Sequence, residues 1–340
     1  MYANAIRPDL PVLLLHNLDH TWTPAEIDEA QREVAKMEAA IRGEGHPVAN
    51  VPVFDAGLTQ HLHGYDPEEY VVLNVCEGVP GIPHSDALVA RALEVLGFAY
   101  TGSTPEVLDL SWNKHLVKAR LDRHRVPTPR WRVCDSPCVD GWDRFPAIVK
   151  PVREHASVGV TTEAVVLTRG ELRQRITYVL DELRQPALVE DFVDGRELHV
   201  SLVGDGTVEM LPPAEMDFSA FGDVRERLCT FDSKFTPGSR HYEQIRLRLP
   251  AELGEAERRQ LEQVALAAYH AVGCRDYARL DIRLRDGTFY VLDVNPNCDI
   301  TSDTSTAAAA EAAGYSYGQM ISLLVNLAAR RHPVYGAGRH

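Results

Sequence analysis

The segment Arg279-Leu280-Asp281-Ile282-Arg283-Leu284-Arg285-Asp286-Gly287-Thr288-Phe289-Tyr290-Val291-Leu292-Asp293-Val294-Asn295 constrains the fold more than any other stretch. Both arms alternate polar and apolar residues, the period of a strand with one face buried. Asp286-Gly287 between them is a strong hairpin turn. A three-residue loop over 286–288 sets Asp281 opposite Asp293 and Arg279 opposite Asn295. Those four then share one face, while Leu280, Ile282, Leu292 and Val294 share the other. With a two-residue loop the polar groups of the two arms would fall on opposite faces; the three-residue form, with Gly in the left-handed position, is a common alternative.

Two carboxylates facing each other destabilise a bare sheet. They make sense if a divalent cation lies between them. Asp281, Asp293 and Asn295 are hard oxygen ligands suited to Mg²⁺, which takes further ligands from water and substrate phosphates. Arg279 beside them could stabilise an oxyanion or a transferring phosphoryl group. The plain alternative is a solvated hairpin face with an incidental charge pair.

The rest of the chain places this hairpin. At 340 residues it has room for two or three domains. The first hundred residues alternate strand and helix signals: an apolar run at 11–15, and a capping box at Thr23-Pro24-Ala25-Glu26 that opens an amphipathic helix. Strands follow at 48–54 and 70–75, and then a helix over 86–96 that Gly97 closes. This pattern predicts a parallel sheet covered by helices. One long helix is expected over 105–124, ending before Val126-Pro127-Thr128-Pro129. Beyond it come strands at 147–150, 164–167, 187–193 and 197–203, an irregular stretch at 211–241, a helix over 252–272, and an Ala-rich helix over much of 304–331. The fold class is α/β (α+β), with a candidate boundary at 126–129.

Charge narrows the partners. Asp and Glu total 49 against 35 Lys and Arg, a net charge of −14. An acidic surface repels nucleic acid and anionic lipid, so neither is expected as a partner. No apolar run is long enough to predict a membrane span, and the start lacks a signal-peptide pattern. The scattered cysteines fit free thiols in the cytoplasm.

The motifs resemble those of the ATP-grasp ligases, in particular the D-alanine–D-alanine ligase-like branch. R-x-D followed by D-x-N matches Arg279, Asp281, Asp293 and Asn295. Tyr100-Thr101-Gly102-Ser103 is similar to the Y-T-G-S segment of that branch. Asn113-Lys114 with Lys118 looks like D-K-x-x-x-K. Residues 146–151 look like P-x-x-V-K-P, and residues 190–197 resemble E-x-x-x-x-G-x-E. The resemblance implies an ATP-grasp fold in three parts, 1–112, 113–197 and 198–340, with ATP and two Mg²⁺ ions (or Mn²⁺) bound between the second and third parts. It implies that Lys114 and Lys150 contact phosphates, Glu190 and the Val193 backbone meet the adenine, and Glu197 binds the ribose. Ser157 would lie in a phosphate loop at 153–160, and Lys234 in a second lid. Asp281, Asp293 and Asn295 would hold the metal, and Arg279 the tetrahedral intermediate. The implied reaction turns a carboxylate into an acyl phosphate, which an amine then attacks. A homodimer through the first part is a further implication.

The amino-acid end departs from the pattern. Ala156 replaces a serine, and Phe235 follows Lys234 in place of a tyrosine. His16-Asn17-Leu18-Asp19 replaces a Gly-rich segment with a glutamate, and Asp299 replaces a glycine. The expectation is therefore an ATP-dependent carboxylate–amine ligase acting on small molecules other than two D-alanines, such as an amino acid and a specialised or peptide-like metabolite. Asp19, Glu77, Asp299 and Asp303 are candidates for gripping an amine. The alternatives are a D-Ala–D-Ala or D-Ala–D-lactate ligase that tolerates these changes, and an ATP-binding protein without ligase chemistry.

Overall fold

The computed structural model describes residues 7–155 and 157–336. Ala156 and the Phe235 side chain, both named above, lie outside the described residues. Three sheets follow one another along the chain. The first contains β1 (Val12–Asn17), β2 (Val48–Val53), β3 (Val71–Val75) and β4 (Ala99–Tyr100), all parallel, in the order β2-β1-β3-β4. Its apolar runs are buried on both faces, as a helix-covered parallel sheet requires. Val12 and Leu14 pack beneath helices Pro24–Gly43 and Tyr317–Ala329, while Leu13 and Leu15 pack toward helix Asp86–Leu96. The capping box holds as read: Thr23 N donates to Glu26 at 2.7 Å. The C-terminal helix thus completes the core of the first sheet, and Ser322 meets His46 at 2.7 Å.

The second sheet is antiparallel and contains β5 (Trp131–Cys134), β6 (Ala147–Pro151), β7 (Val165–Val166) and β8 (Ala187–Asp191) in the order β5-β8-β6-β7. The third contains β9 (Arg196–Asp205), β10 (Thr207–Met210), β11 (Ala214–Asp217), β12 (Arg246–Arg248), β13 (Asp276–Arg285) and β14 (Thr288–Pro296). Its order is β12-β11-β9-β13-β14, with β10 also pairing β9. Leu198, Val200, Leu280, Ile282 and Val291 turn one face of this sheet onto helix Glu255–Val272. Strand alternation leaves Glu197, His199, Arg279, Asp281 and Arg283 on the opposite face.

Several expectations change. The predicted helix over 105–124 is two helices, Pro105–Ser111 and Lys114–Arg123, with Trp112 and Asn113 between them. The break puts Lys114 at the head of the second helix, against the Val152 carbonyl, which accepts from its N–H at 3.1 Å. The Ala-rich stretch is likewise two helices, Ser305–Ala312 and Tyr317–Ala329, the first closed before Gly314 in a left-handed conformation. The irregular stretch at 211–241 contains β11. All six cysteines are free. No helix among the described residues is long and apolar enough to cross a membrane.

Candidate active site

The hairpin turn has two residues, not three. Arg285 pairs with Thr288, and Asp286 and Gly287 both have positive φ, 51° and 73°. Such a turn matches the twist of the strands it joins. On its own it would carry Asp281 and Asp293 to opposite faces. A β-bulge prevents this: Ile282 pairs with Val291, but Asp281 pairs with Asp293, so Leu292 is the extra residue. Asp281 therefore faces Asp293, and Arg279 faces Asn295, as expected, by a different route. The bulge also corrects the apolar face. Val291 goes to the core, and Leu292 borders the cleft.

That cleft, about 1340 Å³, lies where the three sheets meet. Lys114, Lys150, Ser157, Glu190, Val193, Glu197, Lys234, Arg279, Asp281, Asp293 and Asn295 all border it. Lys114 Nζ is 3.1 Å from Asp293 Oδ1, and Lys150 Nζ is 3.8 Å from Oδ2. Burial alone would raise the Asp293 carboxyl, but Lys114 and then Lys150 outweigh it and hold the group well below the usual range. Arg279 grips Asp281 with two nitrogens, at 2.9 and 3.3 Å. Asn295 Nδ2 donates to Asp281 Oδ2 at 3.2 Å and to the Arg279 carbonyl at 3.1 Å. Asn295 thereby keeps its amide oxygen for another partner. Three hard oxygen donors on one face fit a divalent cation, with arginine and lysines balancing the acids.

Toward the second sheet, Glu190 is buried between Lys118 at 2.5 Å and Lys150 at 3.1 Å. Both contacts are ion pairs out of hydrogen-bond alignment. Burial opposes its charge, and the two lysines overcome it, so Glu190 stays ionised. Lys118 also donates to Thr128 at 2.8 Å. Arg283 is a group the sequence reading missed. It binds Glu197 at 2.8 Å and donates to the Val193 carbonyl at 2.8 Å and to the Arg227 carbonyl. The signal was available, since Arg279, Asp281 and Arg283 share one face of an alternating strand. Ser157, at φ 63°, donates to the Cys229 carbonyl at 3.1 Å, so the loop after β6 touches the segment that carries Lys234.

The far end of the cleft lies at the carboxyl ends of β1 and β3. There the strand order reverses, the usual ligand position in an open parallel sheet. Asn17 joins the two ends, accepting from Glu77 N and donating to the Gly78 carbonyl, both at 2.6 Å. Asp19 and Asp299 close local turns with Thr21 and Thr301. Glu77 differs: the cleft walls push its carboxyl up, with Asp299 and Asp86 adding to the shift.

Fold and site together define an ATP-grasp protein. The family model described as "D-ala D-ala ligase C-terminus" matches residues 131–326. An uncharacterised protein, y4sG, of Sinorhizobium fredii is 32% identical over 286 residues, covering 82% of each chain. A D-alanine–D-alanine ligase of Pseudothermotoga lettingae is 27% identical, covering 86% of this chain and 91% of its own. The solved D-alanine–D-alanine ligase of Bacillus anthracis complexed with ATP superposes with a TM-score of 0.71 at 20% identity, over 94% of this chain and 98% of its own. The chain belongs to the D-alanine–D-alanine ligase family of ATP-grasp enzymes, ATP-dependent ligases that join carboxylates to amines.

Proposed function

We propose that the protein joins a carboxylate to an amine other than two D-alanines, through an acyl phosphate. One observation supports this reading above all. Lys114 and Lys150 converge on Asp293, directly across the strands from an Asp281 held by Arg279. Fixed cations beside a cation-binding acid pair suit phosphoryl transfer, which is mainly positioning and electrostatics.

In this reading adenine lies beside Glu190 and the Val193 N–H, since Arg283 occupies the Val193 carbonyl. Glu197, oriented by Arg283, meets the ribose. Lys114 and Lys150 lie along the phosphates, with Ser157 and Lys234 closing over them. Asp281, Asp293 and Asn295 would hold Mg²⁺, which neutralises phosphate charge during transfer. The substrate carboxylate attacks the terminal phosphate, releasing ADP. The amine then attacks the acyl carbon and phosphate leaves, with Arg279 facing the developing oxyanion. The acyl phosphate must be kept from water, which would hydrolyse it. The free thiols suit a cytoplasmic setting.

Two of the departures, at His16, Asn17 and Asp19 and at Asp299, border the far end, where Glu77 would receive the ammonium group of a substrate. The cleft of about 1340 Å³ runs unbroken from the Lys114–Asp293 cluster to Glu77. The test is phosphate release with ATP, Mg²⁺ and paired pools of acids and amines. Release that needs both members of a mixed pair supports the reading. Full-rate release with D-alanine alone means a D-alanine–D-alanine ligase.

A further inference from the structure

His155 lies in the loop after β6 and borders the same cleft. Its Nε2 is buried without a hydrogen-bond partner among the described residues. A buried polar atom left unsatisfied costs about 1–3 kcal/mol unless a ligand or water completes it. The ring is held in place. Trp112 packs edge-on against it at 4.1 Å between centroids, and His84 packs on Trp112 at 4.2 Å. Trp112 is itself fixed by Asp86, which accepts from its indole N–H at 2.7 Å. The loop is anchored at its start, where Arg153 donates to Asn113 at 3.1 Å beside Lys114.

The charged groups acting on the ring are Lys114, Asp293, His84 and Lys234. Burial, and then Lys114, push the imidazole down to about 3, so it is neutral at physiological pH. A neutral ring has one N–H, and an anion placed beside Nε2 would select the tautomer that carries it there.

We infer that His155 Nε2–H donates a hydrogen bond to the terminal phosphate of the bound nucleotide, making His155 a reader of the group that is transferred. The inference rests on the placement of ATP proposed above. It extends the phosphate contacts from lysine point charges to a fixed, directional donor on the loop.

The test uses the full chain with Mg²⁺. Affinities for ADP and for a non-hydrolysable ATP analogue are measured for the wild type, His155→Ala, His155→Gln and His155→Asn. A hydrogen bond to a charged group predicts that His155→Ala weakens the analogue by about tenfold or more, with ADP affinity little changed. His155→Gln, whose amide N–H reaches the Nε2 position, should keep most of the preference for the analogue. His155→Asn reaches only the Nδ1 position and should lose it. The Gln and Asn pair still decides the matter if the alanine variant does not fold. Equal losses for both nucleotides mean a structural role, and unchanged affinities mean a contact elsewhere, including the acceptor carboxylate. Either result overturns the assignment. If the wild type turns over no acid–amine pair, the ligase reading fails, but the ratio of the two affinities still decides this one.

Discussion

Asp281 and Asp293 face each other across β13 and β14 because Leu292 bulges out of the ladder between them and the turn. Each acid has its own cation: Arg279 on one side, Lys114 and Lys150 on the other. The pair is therefore stable before any metal binds, and a bound cation would compete with these partners for the carboxylates.

Replacing Asp293 with Asn removes a charged oxygen donor and leaves two lysines without their shared acid. Turnover should fall on the order of a hundredfold, while the circular dichroism spectrum stays unchanged. Phosphate release is the measurement. Unaltered turnover would refute the metal assignment.

Arg283 and Glu197 form a buried pair, with side chains 2% and 7% exposed. Arg283→Met strands the carboxylate and two backbone carbonyls. A broken buried pair costs about 3–5 kcal/mol, read as a lowered urea midpoint at neutral pH. Arg283→Lys should rescue little, because a single ammonium cannot span Glu197, Val193 and Arg227. A midpoint within error of the wild type would show that the pair does not hold the adenine end together.

The same pair sets an acid limit. Burial would raise the Glu197 carboxyl, but Arg283 and His199 outweigh it and hold it well below its ordinary 4.5. A depressed carboxyl contributes stability that is present above about pH 4.5 and lost as pH falls toward its folded value. Urea midpoints of the wild type and Glu197→Gln should therefore differ most at neutral pH and converge below pH 4.5. A gap that stays constant with pH contradicts the ionised pair.

Gly195 lies in the short connection between β8 and β9. A Cβ added there would lie 2.0 Å from the Leu284 carbonyl oxygen, which belongs to a strand that cannot yield. Gly195→Ala should weaken ATP binding by displacing Val193 and Glu197, as measured by equilibrium titration. ATP affinity matching the wild type would mean the linker has room that the packing denies it.

Much of this was legible in the residues. Period-two alternation gave the hairpin and the facing pair, and unbroken apolar runs gave the parallel sheet. Periodicity could not give the bulge, because an inserted residue keeps strand character while shifting the register; a three-residue loop produces the same facing pair. The break at Trp112-Asn113 was hidden because both flanking segments keep helical composition. The apolar face of helix Tyr317–Ala329 packs on both sides, against Leu14 and Leu73 of the first sheet and Val203 and Tyr277 of the third. Lys118 looks like an ordinary helix charge until burial brings it against Glu190, whereas Arg283 stands on the legible polar face of the hairpin and only its grip on Glu197 needed the structure.

The central claim is an acyl phosphate formed from a substrate carboxylate. The most direct measurement supplies ATP, Mg²⁺ and an amine pool with acids whose carboxylates contain heavy oxygen, then weighs the released phosphate. The account predicts that one heavy oxygen passes from the carboxylate into the phosphate in each turnover. Phosphate released without the label would contradict it.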